Sequence, residues 1–288
     1  MSATQAYCFA PYSDDFMAGG PWRNWPDIWR AGRGSVPQAP HRLWMIFLLM
    51  LLATMFGAVR PAIAADQCVA VSRALPVDAL PVPLKFPEWR LQYEHLKSTV
   101  SEPRMSSRRL LFIGDSLTYG WHQDETLFYQ SFKQYNPLNL GIFGDRTEGV
   151  IYRLNTDWGA LNPRLAVVLI GTNNTASGSN PSDVAMAIAE IVKTIRTHSG
   201  QTRVLIVSIL PRGDKSSAVR SANNKVNEIV SGCVNGTTTF FADVAASFLD
   251  ESGKFKQELT SDNVHLTQRG YQQLASLILP TIKTLMTD

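Results

Sequence analysis

Cysteine is scarce in this 288-residue chain, where Cys8, Cys68 and Cys233 are the only three. Their separations match no metal-ligand spacing, so no metal site and no cofactor is expected. Charge is sparse as well, with 18% charged residues and a net charge of +3. Without a long run of Lys and Arg, so slight an excess gives no footing for nucleic acid or an anionic surface as partner. Internal repeats and low-complexity tracts are lacking too. What is plentiful is apolar material, 45% hydrophobic and 10% aromatic residues, ample for one domain plus an extension or for two small domains.

Part of that apolar bias is local. Residues 1–64 read as an irregular extension followed by an export segment: Met1 to Pro40 is rich in Gly, Pro and Trp without sustained periodicity. Leu43 to Val59 is then almost uninterrupted apolar sequence, closed by Arg60-Pro61. The run falls a little short of the ~20 residues that comfortably span a bilayer. Ala62-Ile63-Ala64 before Ala65 has the small-x-small form of a secretory cleavage site. A cleaved signal and a retained anchor both remain open: more than forty residues precede the run, so either translation starts later, at Met17 for instance, or the segment is an uncleaved anchor. The ordinary alternative is a buried core helix, but Arg23, Arg30, Arg33 and Arg42 ahead of the run suit an N-in orientation. The expectation is an exported protein, periplasmic or secreted, whose only membrane contact is the Leu43 to Val59 segment. In such a compartment Cys68 and Cys233 are either joined or two unrelated thiols, and spacing does not choose.

Residues 65–86 read as an extended linker, because Pro76, Pro81 and Pro83 exclude a helix interior. The domain then occupies 87–288, opening with a helix from Pro87 to about Thr99 whose Trp89, Tyr93 and Leu96 share a face. Apolar strands are predicted at Leu110 to Ile113, Leu138 to Phe143, Leu165 to Ile170, Val204 to Ile209 and Thr239 to Phe241. Helical stretches separate them, most clearly Asp183 to His198, Ala218 to Val230 and Thr267 to Met286. That alternation predicts one α/β domain around a mostly parallel five-stranded sheet.

The carboxyl ends of such strands are where open α/β sheets bind ligands, and here they carry a consistent set of groups. The first run stops in Gly114-Asp115-Ser116-Leu117, which delivers a hydroxyl at a strand-to-helix turn. Ser116 or Asp115 as a mere helix cap is the bland alternative. Gly144 ends the second run, where a residue without Cβ lets backbone approach a substrate, although a turn glycine looks the same. Asn173 follows the third run and offers an amide donor, or simply turns the chain. In the last loop Asp262 and His265 are three apart, close enough for the carboxylate to fix one imidazole nitrogen and leave the other to accept a proton. Taken singly each has a dull reading; a hydroxyl, a backbone donor, an amide donor and a His-Asp pair, in that order, favour acyl transfer.

These blocks, Gly114-Asp115-Ser116-Leu117, Gly144, Gly171-Thr172-Asn173 and Asp262-x-x-His265-Leu266, resemble those of the GDSL, or SGNH, hydrolases. The wording around them, including Asn139-Leu140-Gly141-Ile142-x-Gly144-Asp145-x-Thr147 and Leu210-Pro211-Arg212-Gly213, is most similar to the catalytic subunits of intracellular platelet-activating-factor acetylhydrolase. The resemblance implies a flavodoxin-like three-layer α/β/α fold and a metal-free serine esterase. Ser116 would be its nucleophile, His265 its general base and acid, and Asp262 the residue that orients His265. Ser116 N–H, Gly144 N–H and Asn173 would form its oxyanion hole. Asn174 departs from the broad family, where many members carry Asp, and agrees with the acetylhydrolase subgroup. No Gly-x-Ser-x-Gly elbow is present, which argues against the other large α/β esterase fold. Short loops of small residues such as Thr175 to Ser179 leave little for a lid, so the expected substrate is a short-chain ester, acetyl on exported carbohydrate. A lipid acyl hydrolase or thioesterase, an acyltransferase and a non-catalytic binding module are the rivals.

Overall fold

The computed structural model describes residues 74–287. The irregular extension, the Leu43 to Val59 run, the cleavage site, Cys68 and the first part of the 65–86 stretch lie outside the described residues. Among the described residues, no helix is long and apolar enough to cross a membrane.

Five strands form one sheet: β1 (Leu110–Gly114), β2 (Pro137–Gly141), β3 (Leu165–Leu169), β4 (Arg203–Val207) and β5 (Thr239–Ala242). Their order is β2-β1-β3-β4-β5, and every neighbouring pair is parallel. The helices, in chain order, are α1 (Pro87–Val100), α2 (Ser116–Tyr119), α3 (Glu125–Phe132), α4 (Thr147–Thr156), α5 (Thr172–Ala176), α6 (Pro181–His198), α7 (Ala218–Ser231) and α8 (Gln268–Met286).

Successive side chains of a strand face opposite ways, and β1 is apolar on both sides. Leu111 and Ile113 pack with residues of α4, α6 and α7, whereas Leu110 and Phe112 pack with Phe128, Phe132 and the buried face of α8. Three layers result, helix, sheet and helix, as a parallel sheet covered on both faces requires. Within α6, Val184, Ile188, Ile191 and Ile195 recur at helical spacing and are buried. Each contributes about 1.5–3 kcal/mol by leaving water, so packing rather than propensity holds this helix. A smaller cluster joins Trp89 and Tyr93 of α1 to Ile142 and Tyr152 at the end of the sheet.

Three strands stop earlier than their apolar runs, at Gly141, Leu169 and Val207. Ile142, Ile170 and Ile209 continue buried but lie outside the strands, so an apolar run reports burial and not pairing. Helices α3, α4 and α5 have no counterpart in the predicted elements, and Thr175 and Ala176, expected in a loop, end α5. The buried face of α4 includes Glu148 and Arg153, which blurs its apolar period.

Of the stretch expected over 65–86 as an extended linker, residues 74–86 are described. Residues 74–86 form a strap laid on the domain: Ala79 joins the main apolar cluster, Thr147 Oγ1 donates to Asp78 O at 2.9 Å, and Val82 N–H donates to Glu148 O at 3.2 Å. Prolines rule out a helix interior there, but an extended chain pinned by its neighbours accommodates them.

Candidate active site

Because β2, β1 and β3 lie side by side, the segments leaving their carboxyl ends meet at one edge of the sheet. After β1 the chain turns at once into α2, and Asp115 caps that turn, its Oδ1 accepting the Leu117 N–H at 2.9 Å. The cap and the presented hydroxyl are thus two different residues of the same motif. With only four residues, α2 adds little dipole of its own, so any electrostatic help comes from individual N–H groups.

His265 Nε2 lies 3.0 Å from Ser116 Oγ, and His265 Nδ1 lies 2.7 Å from Asp262 Oδ2. An imidazole protonated at Nδ1 would donate to the carboxylate and leave Nε2 to accept from the hydroxyl. Asp262 Oδ1 also accepts the backbone N–H groups of His265, at 2.7 Å, and Val264, at 3.0 Å. Burial works to raise the Asp262 carboxyl, but these hydrogen bonds and the facing His265 ring outweigh it and hold the group below its ordinary value.

The loop carrying the pair is closed on itself. Thr260 and Leu266 form an antiparallel bridge, and Ser261 N–H and Thr260 Oγ1 both donate to His265 O, at 3.0 and 2.9 Å. Asn263 adopts a left-handed φ of 62°, which Asn tolerates, and its carbonyl accepts from Gly213 N–H at 3.1 Å. Tyr271 of α8 donates its hydroxyl to Leu117 O at 2.9 Å, tying the helix after this loop to the turn that bears Ser116.

Gly144 and Asn173 follow β2 and β3, the two strands that flank β1. Gly144 has a φ of +71°, and a Cβ there would come within 3.1 Å of Phe86 Cζ on the strap. Gly171, with a φ of +121°, bends the chain from β3 into α5 and so places Asn173. Asn173 Nδ2 donates to Asp145 O at 2.9 Å, while its Oδ1 accepts from Arg212 Nη1 at 3.3 Å. Those partners set the amide's orientation and leave one of its two N–H groups uncommitted. Among the described residues, neither the Ser116 nor the Gly144 backbone N–H has a backbone acceptor. Uncommitted N–H groups of this kind are what a developing oxyanion needs.

Of the five residues singled out in the sequence, Ser116, His265 and Asp262 are joined by direct hydrogen bonds, and Asn173 is tied through Asp145 O to the segment that follows Gly144. The structure also adds residues that sequence reasoning did not assign. Arg212 orients Asn173, and Asp145 anchors the segment after Gly144. The buried Asp145 carboxylate accepts from Arg153 Nε at 2.9 Å, Trp89 Nε1 at 2.8 Å and the Arg146 N–H at 3.0 Å. Burial raises this carboxyl's pKa, against the pull of the Arg153 charge. A signal for Arg153 does exist in the sequence, a lone cation among Val150, Ile151 and Leu154 on a helix. Asp115 is buried too, and its Oδ2 has no hydrogen-bond partner. Burial pushes that carboxyl up to about 7; the Leu117 N–H opposes it, Asp145 reinforces it and Arg212 opposes it. No group of three His, Cys, Asp or Glu side chains able to hold a metal occurs among the described residues.

A model of the GDSL-like lipase/acylhydrolase family matches residues 112–273, from within β1 into α8. The chain belongs to that family. As a GDSL acylhydrolase it is a hydrolase of ester bonds. Platelet-activating factor acetylhydrolase IB subunit alpha1 of Bos taurus is 31% identical over 191 residues, which cover 66% of this chain and 81% of that protein. Among solved structures, an acylhydrolase from Bacteroides fragilis superposes with a TM-score of 0.57 at 23% identity, covering 70% of this chain and 100% of that one. A catalytic mutant of an acetylxylan esterase from Geobacillus stearothermophilus gives a TM-score of 0.50 at 19% identity, covering 62% and 94%. Both structures share the α/β fold of this GDSL hydrolase.

Proposed function

We propose that this hydrolase is a serine esterase that removes short acyl groups, acetyl above all, from exported carbohydrate through an acyl-enzyme. The observation that carries the reading is the continuous hydrogen-bonded chain from Ser116 Oγ through His265 to Asp262, at 3.0 and 2.7 Å. Ser116 Oγ attacks the ester carbonyl as its proton passes to His265 Nε2. Negative charge on the carbonyl oxygen is met by the Ser116 and Gly144 N–H groups and the uncommitted N–H of Asn173. The carbon–alkoxide bond then breaks, the alkoxide takes the proton from His265, and Ser116 keeps the acyl group. Water, deprotonated by His265, attacks the acyl-enzyme, and collapse restores the Ser116 hydroxyl and frees the acid.

Short acyl chains are favoured by the small loop Ser177 to Ser179 after α5, which offers no lid. The acetyl preference draws support from the relatives, an acetylhydrolase subunit and an acetylxylan esterase. Export rests on the Leu43 to Val59 run and the Ala62-Ile63-Ala64 site.

The test is intact-mass analysis of the protein after a fluorophosphonate, beside Ser116→Ala, with turnover of acetyl and octanoyl nitrophenyl esters. One adduct, absent in the variant, with acetyl preferred, is the expected result. An octanoyl preference would replace it with the lipid-directed reading, and the absence of both adduct and turnover in folded protein would overturn the esterase itself. The mass of protein recovered from outside the cytoplasm also reads where the mature chain begins, near Ala65 if a signal is cleaved.

A further inference from the structure

Phe143 is the only phenylalanine among the described residues that is left exposed, at 49%. It belongs to none of the three apolar clusters, although Ile142 before it is fully buried. Its backbone is held, since the Phe143 N–H donates to Gln92 Oε1 at 2.9 Å. Its ring lies nearly parallel to the His265 imidazole, with a 14° interplanar angle and centroids 5.8 Å apart. An exposed aromatic ring beside His265, on the residue before Gly144, does nothing for the core, and it neighbours the group that handles the proton.

The direction of the reaction says which part of the substrate. Once the carbonyl oxygen is held by Gly144 and Asn173, the alkoxide oxygen has to reach His265 Nε2 to collect its proton. The alcohol portion therefore runs beside the imidazole, along the flank that Phe143 occupies, while the acyl group leaves the tetrahedral carbon by the remaining direction. Resting on the esterase reading above, we propose that Phe143 is a recognition platform for the alcohol portion of the ester. The class it fits is an alcohol with a flat, C–H-rich face, such as the ring of an acetylated pyranose, packed against the aromatic face.

Phe143→Ala and Phe143→Trp, with far-UV circular dichroism to verify folding, put this to the test on two substrate series. One varies the alcohol at constant acetyl (ethyl, 4-nitrophenyl and an acetylated methyl xyloside), and the other varies the acyl chain on 4-nitrophenol. Phe143→Ala is expected to raise KM about tenfold for the two ring-bearing acetates, the scale of one aromatic contact. It should leave ethyl acetate within about twofold and the acetyl-to-butyryl ratio unchanged, and Phe143→Trp should restore the ring-bearing substrates. An equal loss across all esters would mean that the ring merely steadies His265, and a changed acyl ratio would place it beside the acyl group. Either overturns the proposal, as does an unchanged profile. Wild-type protein inert to the fluorophosphonate would remove the esterase reading and this one together. Labelled wild type with an unchanged Phe143→Ala profile would remove this one alone.

Discussion

Asn174 illustrates how one atom's identity is fixed by its surroundings. Its side chain is buried, and Nδ2 reaches Asp78 Oδ1 at 2.7 Å, Glu148 Oε2 at 2.8 Å and Thr147 Oγ1 at 2.8 Å. An Asp here would turn a donor facing two carboxylates into a third carboxylate. Asn174→Asp is therefore expected to cost about 1–3 kcal/mol, read as a lower urea midpoint at pH 8 with an unchanged denaturant slope. Asp115 presents the converse case, a buried carboxyl whose pKa is raised from 3.8 to about 7. Between those values the folded protein binds a proton that the unfolded chain has released, so this group's contribution to stability falls as pH rises through that window and is flat above it. Asn can keep the cap to Leu117 without titrating. The stability of Asp115→Asn relative to wild type should thus climb between pH 4 and 7, by on the order of 4 kcal/mol at most, and then level off in urea titrations. The proposed roles of Asn173 and Asp262 set kinetic expectations at the same scale. Asn173→Ala should lower kcat about 10²–10³-fold, and Asp262→Asn about 10⁴-fold, with KM for a nitrophenyl acetate changed little.

Among the elements, α4 and the strap matter most to the site. Arg153 of α4 pairs with Asp145 in the interior and also donates to Gly114 O at 3.3 Å, so one guanidinium touches the ends of both β1 and the β2 segment. Removing it strands a buried carboxylate, and Arg153→Ala is expected to lose about 3–5 kcal/mol in chemical denaturation. The strap adds Asp78, which accepts from Asn174 and from Ser179 Oγ at 2.6 Å. This network has no local sequence period, because it joins three segments that lie far apart in the chain: Asp78, Asp145 to Arg153, and Asn174 to Ser179. Ser116, Gly144, Asn173, Asp262 and His265 are legible for the opposite reason: each follows an apolar run that stops at a small or polar residue, or sits three positions from its partner. All five strands are legible on the same ground. Helix α4 is not, since its inward face carries charges whose partners, Asp145 and Asn174 among them, lie outside the helix. Pro76, Pro81 and Pro83 report extended backbone correctly but say nothing of whether it is docked.

At the scale of the whole molecule, the strand order places β1 second from the edge, with β2 on one side and β3 on the other, so the site lies where successive crossovers diverge. One sheet serves both large apolar clusters, and neither helix layer has a core of its own. The loop from Thr260 to Leu266 joins one of these clusters through Leu266 and is held from outside by Gly213, but it aligns its own functional pair. Its bridge, its doubly accepting His265 carbonyl and the two amides on Asp262 Oδ1 are all made within it. The His-Asp pair is in effect a prefabricated cartridge: the hydrogen bonds that align it come from its own loop, while Leu266 and Gly213 seat that loop against the rest of the domain. Strands, strap and substrate platform can then drift through evolution, or be redesigned, without retuning the proton-handling part.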